Sequence, residues 1–184
     1  MRPVSRDSIL GYVTYEQQRD AQRPRVLQEK KRRRVHVGEF LTFLFETTET
    51  IRYQVQEMMR VERLVRDADI QHELDTYNEL LGDEGELGCT LLIEIDDPAL
   101  RQEKLTRWLG LPSRIYVLLP DGTRVHARYD DRQVGDARLS SVQYLKFATG
   151  GVGPVAVGCD HPDVSSETVL GDDQQRALAD DLAG

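Results

Sequence analysis

The sequence predicts an α+β fold, a single domain in which a largely antiparallel sheet carries helices packed on one face. Three observations predict it. Strand patterns arrive in runs, often joined by turns too short for a parallel crossover. Helical patterns with recognisable caps alternate with those runs. The 184 residues, 39% hydrophobic and 30% charged, fall in the ordinary range for one globular domain that needs no disulfide or metal to hold its core. The expected domain spans 1–184, with a basic helical segment over 1–34 and an acidic tail ending in a short helix over 163–184.

From Tyr15 to about Arg33 the residues are mostly helix formers, and Pro24 is expected to divide them into two short helices. The next stretch, VHVGEFLTFLFE, changes period. Val35, Val37, Leu41, Phe43 and Phe45 alternate onto one face, with Phe40 and Leu44 on the other, which describes a mostly buried strand. Thr47 or Thr48 can cap a long helix running to about Arg66. Asp67 or Asp69 opens a second helix, with Ile70, Leu74, Tyr77 and Leu81 on one stripe and Gly82 placed to end it.

ELGCTLLIEI shows the clearest alternation, with Leu87, Cys89, Leu91, Ile93 and Ile95 on one side and Glu86, Thr90 and Glu94 opposite. Asp97 and Pro98 supply a cap and a first-turn proline for a helix that carries Leu105 and Trp108 and stops at Gly110. RIYVLL and RVHARY flank Pro120, Asp121 and Gly122 as a hairpin. SVQYLKFA and PVAVGC are further strands. The GGVGP between them is expected to be a flexible hairpin connection, since no lysine follows in the manner of a phosphate loop.

Charge is unevenly spread. Residues 1–40 carry net +5 in a chain of net −8, so the other 144 residues carry −13. The basic excess centres on KKRRR, Lys30 to Arg34. Nucleic-acid binding is not expected there, because the acidic remainder repels phosphate and no recognised motif accompanies the run. A solvated helix end is the better reading, with an acidic patch on a protein partner or on the chain's own body as counter-charge. No run of 18 apolar residues occurs and MRPVSRDSIL lacks the apolar stretch of a signal peptide, so a cytoplasmic protein with no membrane span is expected. Cys89 and Cys159 have no CxxC spacing and read as small buried hydrophobes.

One acid stands out. In FETTETIRYQVQEMMRVER, Glu62 falls roughly 20° from Ile51 on a helical wheel, near the centre of the stripe formed by Ile51, Val55, Met58 and Val65. A buried carboxylate must be paired, protonated, bound to a cation, or exposed because its helix overhangs the core. Arg66, one turn on, is the obvious partner. Alternatively, Glu62 joins Glu57, Arg60, Glu73, Tyr77 or Asn78 in a polar cluster between the two helices. A di-iron carboxylate site is not supported, because His72 precedes Glu73, the reverse of Glu-x-x-His. Cys159, Asp160 and His161 read as a turn closed by Pro162 rather than as metal ligands.

The segments FETTETIRYQVQEMMRVE, ELDTYNELL, ELGCTLLIEIDDP and CDHP resemble a bacterial family of no assigned activity, number 3501 among the domains of unknown function. The likeness runs from about Tyr15 to Leu182. It is carried by Phe45 with Glu46, by the block Gln54, Gln56, Glu57, Met58, Arg60 and Glu62, by Tyr77 with Asn78, and by His161 with Pro162. The family pattern has Asn-Arg-Asp where this chain has Thr47, Thr48 and Glu49, although threonine caps a helix as asparagine does. The resemblance implies company rather than chemistry. Members are often encoded beside a rubrerythrin-like di-iron protein and an iron–sulfur protein similar to heterodisulfide reductase subunits, a redox or peroxide-response setting.

The expected function is therefore a non-catalytic accessory or docking component with those two proteins as partners. Glu57, Arg60, Glu62, Tyr77, Asn78 and His161 would form its polar cluster, with no cofactor and no metal of its own. The alternative is a small metal-binding or acid–base enzyme that uses the same Glu, Arg, Asn and His side chains.

Overall fold

A computed structural model describes residues 1–135 and 137–183. In chain order its regular elements are α1 (Tyr12–Lys31), β1 (Arg34–Val37), β2 (Leu41–Phe45), α2 (Thr48–Glu62), α3 (Asp67–Asn78), β3 (Glu86–Ile93), α4 (Pro98–Arg107), β4 (Ile115–Leu118), β5 (Arg124–His126), β6 (Val142–Ala148), β7 (Ala156–Cys159), β8 (Ser166–Val169) and α5 (Asp172–Ala183). The α+β class holds, and every strand pairing is antiparallel. The strands divide between two four-stranded sheets, ordered β1-β2-β3-β6 and β5-β4-β7-β8.

Several local expectations change for identifiable reasons. α1 is one helix, with Pro24 inside it. Asp20 and Pro24 are both exposed, so the carbonyl that Pro24 leaves without an amide partner is open to water. The single strand expected over 35–45 is a hairpin, because Gly38 adopts φ +61°, a left-handed turn conformation that side chains disfavour. Val35 pairs with Phe43 and Val37 with Leu41, so the apolar face foreseen for one strand is shared by two. GGVGP does not close a hairpin either. It carries the chain from β6 in the first sheet to β7 in the second, with Gly150 and Gly151 both at positive φ.

The main core lies between the sheets. Phe43, Leu91 and Phe147 of the first sheet meet Ile115, Val117 and Val157 of the second, and Leu105, Trp108 and Leu178 close the layer from α4, the turn after it and α5. Cys89 and Cys159 are buried in this core as free thiols. A smaller core joins Ile51, Val55 and Met59 of α2 to Ile70 and Leu74 of α3 and to Val4 and Ile9 of the N-terminal arm.

Two devices join these layers. The chain leaving α3 presses onto the first sheet so closely that a Cβ at Gly88 would lie 1.9 Å from the Leu80 carbonyl oxygen. In the second, Arg33 forms a bidentate pair with Asp181 of α5, with both bonds at 2.7 Å. Arg33 also donates to Glu29 at 2.5 Å. The central arginine of KKRRR is thus an interior anchor, its side chain 8% exposed against 9% for Asp181, rather than part of a solvated helix end. The counter-charge is the chain's own body. The free edge of β1 is covered as well, because Thr168 and Gln174 donate side-chain hydrogen bonds to the carbonyls of His36 and Arg34.

Replacing Gly88 with alanine forces the Leu80 carbonyl away from β3. Urea denaturation of Gly88→Ala should show a loss of about 1–3 kcal/mol, whereas alanine at Gly110, where nothing lies within 4 Å of the new methyl, should be far milder.

Candidate functional site

α2 begins with reciprocal capping. Thr47 accepts from the Thr50 amide at 3.2 Å, and the Thr50 hydroxyl accepts from the Thr47 amide at 2.8 Å. The Thr50 hydroxyl also donates to Glu46 at 2.6 Å, and Thr90 donates to the other Glu46 oxygen at 2.7 Å. Glu46 of the Phe-Glu pair is therefore a buried carboxylate held by two hydroxyls where β2 passes into α2.

Glu57 lies two turns further on, on the side that faces α1. The Tyr15 hydroxyl and Arg19 Nε both donate to its Oε1 at 2.7 Å, and Arg19 Nη2 donates to Oε2 at 3.0 Å. Arg60 Nε stands 3.6 Å away, buried and without a hydrogen-bond partner of its own among the described residues. Burial alone would raise the Glu57 pKa. The hydrogen bonds from Arg19 and Tyr15 and the charges of Arg19 and Arg60 outweigh it and hold the carboxyl below its ordinary value. Burial and the bond to this carboxylate push the Tyr15 phenol well up.

The two amide side chains of the motif do something different. Asn78 Oδ1 accepts from the Val4 amide at 2.8 Å while Nδ2 donates to the Val4 carbonyl at 3.0 Å. Gln56 repeats the pattern at Leu10, accepting at 2.7 Å and donating at 3.1 Å. Each side chain reads one residue's peptide groups in both directions, replacing the partners a neighbouring strand would supply. The N-terminal arm has only a short 3-10 turn of its own and is laced onto α2 and α3 by these pairs.

Glu62 does not lie in the core. α2 ends at Glu62, Arg63 takes a left-handed conformation with φ 53°, and the expected continuation to Arg66 is lost. Glu62 and Val61 therefore stand in solvent, and Val65 is 74% exposed. Of the stripe that made Glu62 look buried, only Ile51 and Val55 are fully buried; Met58 is half-buried, and the buried face of α2 ends instead at Met59. Arg66 pairs instead with Asp69, at 2.7 and 2.9 Å. Glu62 still acts on Tyr77 through space. Burial raises the half-buried Tyr77 hydroxyl above its ordinary pKa, a hydrogen bond with Gln54 opposes the rise, and the charges of Glu73 and, least of all, Glu62 add to it.

His161 sits beyond β7 in the second sheet. Its Nδ1 accepts from the Asp163 amide at 3.2 Å, and no hydrogen bond or ion pair among the described residues joins it to the helix pair. The structure thus brings Glu57 and Arg60 together, uses Asn78 one helix away as an arm clamp, and leaves Glu62 and His161 apart from them. Among the described residues no three His, Cys, Asp or Glu side chains are placed to hold one metal ion.

Sequence reasoning missed Tyr15 and Arg19. Their i, i+4 spacing on α1 was the available signal, but nothing in the sequence indicated that this face meets Glu57. It also missed a group on the outer face of the second sheet, where His126 Nε2 lies 3.5 Å from Asp160, and Arg114 and Arg124 lie 3.9 and 3.8 Å from it.

A family model described as protein of unknown function, DUF3501, matches residues 3–182. The chain belongs to this family. It is also similar to a crystal structure of a novel protein of unknown function from Burkholderia pseudomallei K96243, with 34% identity, a TM-score of 0.90, and coverage of 98% of this chain and all of the other. No curated protein matches it significantly. The family motif residues are thereby located: Glu46, Gln56, Glu57 and Asn78 all make their hydrogen bonds inside the chain.

Two measurements check the site. Asn78→Ala leaves a Val4 amide and carbonyl without partners, so stability should fall by about 1–3 kcal/mol. Amide exchange should quicken at Val4 and its neighbours before it does in the sheets. For Glu57, the folded pKa lies below the ordinary 4.5, so its stabilising contribution is complete above that value and vanishes as pH falls through the folded one. Native protein should therefore exceed Glu57→Gln by about 1–3 kcal/mol at neutral pH, and the gap measured in urea melts should close as the pH drops below the carboxylate range.

Proposed function

We propose that this protein is a non-catalytic accessory or docking component of a cytoplasmic redox or peroxide-response system, working with a rubrerythrin-like di-iron protein and a heterodisulfide-reductase-like iron–sulfur protein. The observation that carries the reading is the use made of the polar helix pair. Glu57 is kept ionised with both oxygens occupied by Tyr15 and Arg19. Gln56 and Asn78 are committed to backbone groups of the arm. A general base needs a free oxygen or nitrogen within reach of a substrate proton, and these side chains instead fix the shape of a surface. What that surface presents is the arm, the exposed flank of α1 and the tip formed by Val61, Glu62 and Val65. The nature of the partners rests on the family resemblance.

Affinity-tagged protein should retain both iron proteins when it is purified from cells that express all three, detected by mass spectrometry and by iron content. Absence of both from the eluate would defeat the reading. Charge and size changes at the helix tip, such as Val65→Glu, should weaken retention while leaving the melting temperature unchanged.

A further inference from the structure

α1 is twenty residues long yet buries only Tyr15 and Val26. A helix held so lightly usually lies against a neighbour along an apolar stripe. Here the stripes are polar. Gln18, Ala21, Gln22 and Arg25 recur on α1 at i, i+3, i+4 and i+7, and Glu49, Arg52, Tyr53 and Gln56 recur on α2 at the same spacing. They line a cleft of about 450 Å³, with Leu10 and Val26 supplying apolar surface. That size falls in the range of small-molecule sites, roughly 300–1,000 Å³.

Most of the polar groups in this cleft already have partners. Gln22 donates to Gln18 at 3.0 Å, Arg52 is paired with Glu49, and Gln56 holds the Leu10 backbone. Arg25 is different, because its guanidinium makes no hydrogen bond or ion pair among the described residues. With Arg52 paired to Glu49, Arg25 is the cleft-lining cation whose donors are uncommitted, although the carboxylates of Glu29, Asp180 and Asp181 line the adjoining cavity that it also borders. A guanidinium offers a planar fork of donors that matches a carboxylate or a phosphate. The ring of Tyr53, with Lys30 Nζ 5.3 Å from its centroid, adds a flat aromatic wall.

We propose that the cleft between α1 and α2 binds a small organic oxyanion, a carboxylate or phosphate ester with a planar or apolar body. Its charge is taken by Arg25, and its body lies among Leu10, Val26 and Tyr53. The site is independent of the docking role, since it needs neither iron protein.

The test uses full-length protein followed by amide NMR. Phenyl phosphate and benzoate are titrated as the two oxyanion probes, with inorganic phosphate as the charge-only control and benzyl alcohol as the body-only control. Saturable shifts confined to residues 18–25 and 49–56 are expected with at least one oxyanion probe, and the two probes distinguish phosphate from carboxylate as the preferred charge. Arg25→Gln, on the exposed flank, should weaken binding by about tenfold or more. Ala21→Phe, which fills the cleft from the α1 side, should remove it, with unchanged melting temperatures showing that both variants remain folded. The proposal fails if neither oxyanion probe saturates at millimolar concentration, if benzyl alcohol binds as well as they do, or if Arg25→Gln binds like the native chain.

Discussion

The carboxylate of Glu57 is the joint on which the helical half of this molecule depends. α1 contributes two buried side chains along its whole length, too little apolar area to fix a twenty-residue helix on α2 by itself. The Tyr15 hydroxyl and the Arg19 fork supply the missing definition by converging on one acid at 2.7 to 3.0 Å. Since α1 leads directly out of the N-terminal arm and into β1, its placement also governs how the arm reaches α3 and how Arg33 reaches Asp181.

The polar residues that mark the family consequently serve architecture first. Glu46 is satisfied by Thr50 and Thr90 at a strand-to-helix junction. Gln56 and Asn78 give an irregular arm the backbone partners it would otherwise lack. A buried amide or carboxylate with complete hydrogen bonding specifies one arrangement, because every alternative leaves a donor or acceptor unpaired. The same logic explains why the arm keeps a defined path although it has almost no regular structure of its own.

Such commitments sharpen the functional picture. Groups tied down within the chain have their donors and acceptors committed, and what the helical half leaves exposed is a fixed surface with an overhanging helix tip and a polar cleft. The outer face of the second sheet, with Asp160 among Arg114, Arg124 and His126, adds a concentration of charge that the helix pair does not explain.

Much of the fold was legible because local chemistry dictated it. The alternation in ELGCTLLIEI became β3 with its core face as read, Asp97 and Pro98 opened α4, and the threonines before Ile51 capped α2. Glu62 shows the limit. Its wheel position is correct only while the helix continues, and the left-handed turn at Arg63, one residue later, takes Val65 and Arg66 off the helix. Pro24 shows the converse, since solvent on the outer face let a helix run through a residue that normally breaks one.

By itself the sequence determined the antiparallel α+β class, the burial of both cysteines, the N-terminal caps of α2 and α4, and the family, because periodicity, turn chemistry and motif spacing are local properties. Only the tertiary structure decided that the strands form two sheets, that Arg33 lies inside against Asp181, and that Asn78 and Gln56 grip the arm. Those outcomes join residues far apart in the chain, Arg33 and Asp181 by 148 positions and Asn78 and Val4 by 74. No local pattern encodes which distant donor will meet which acceptor, because that choice is made by the packing of the whole.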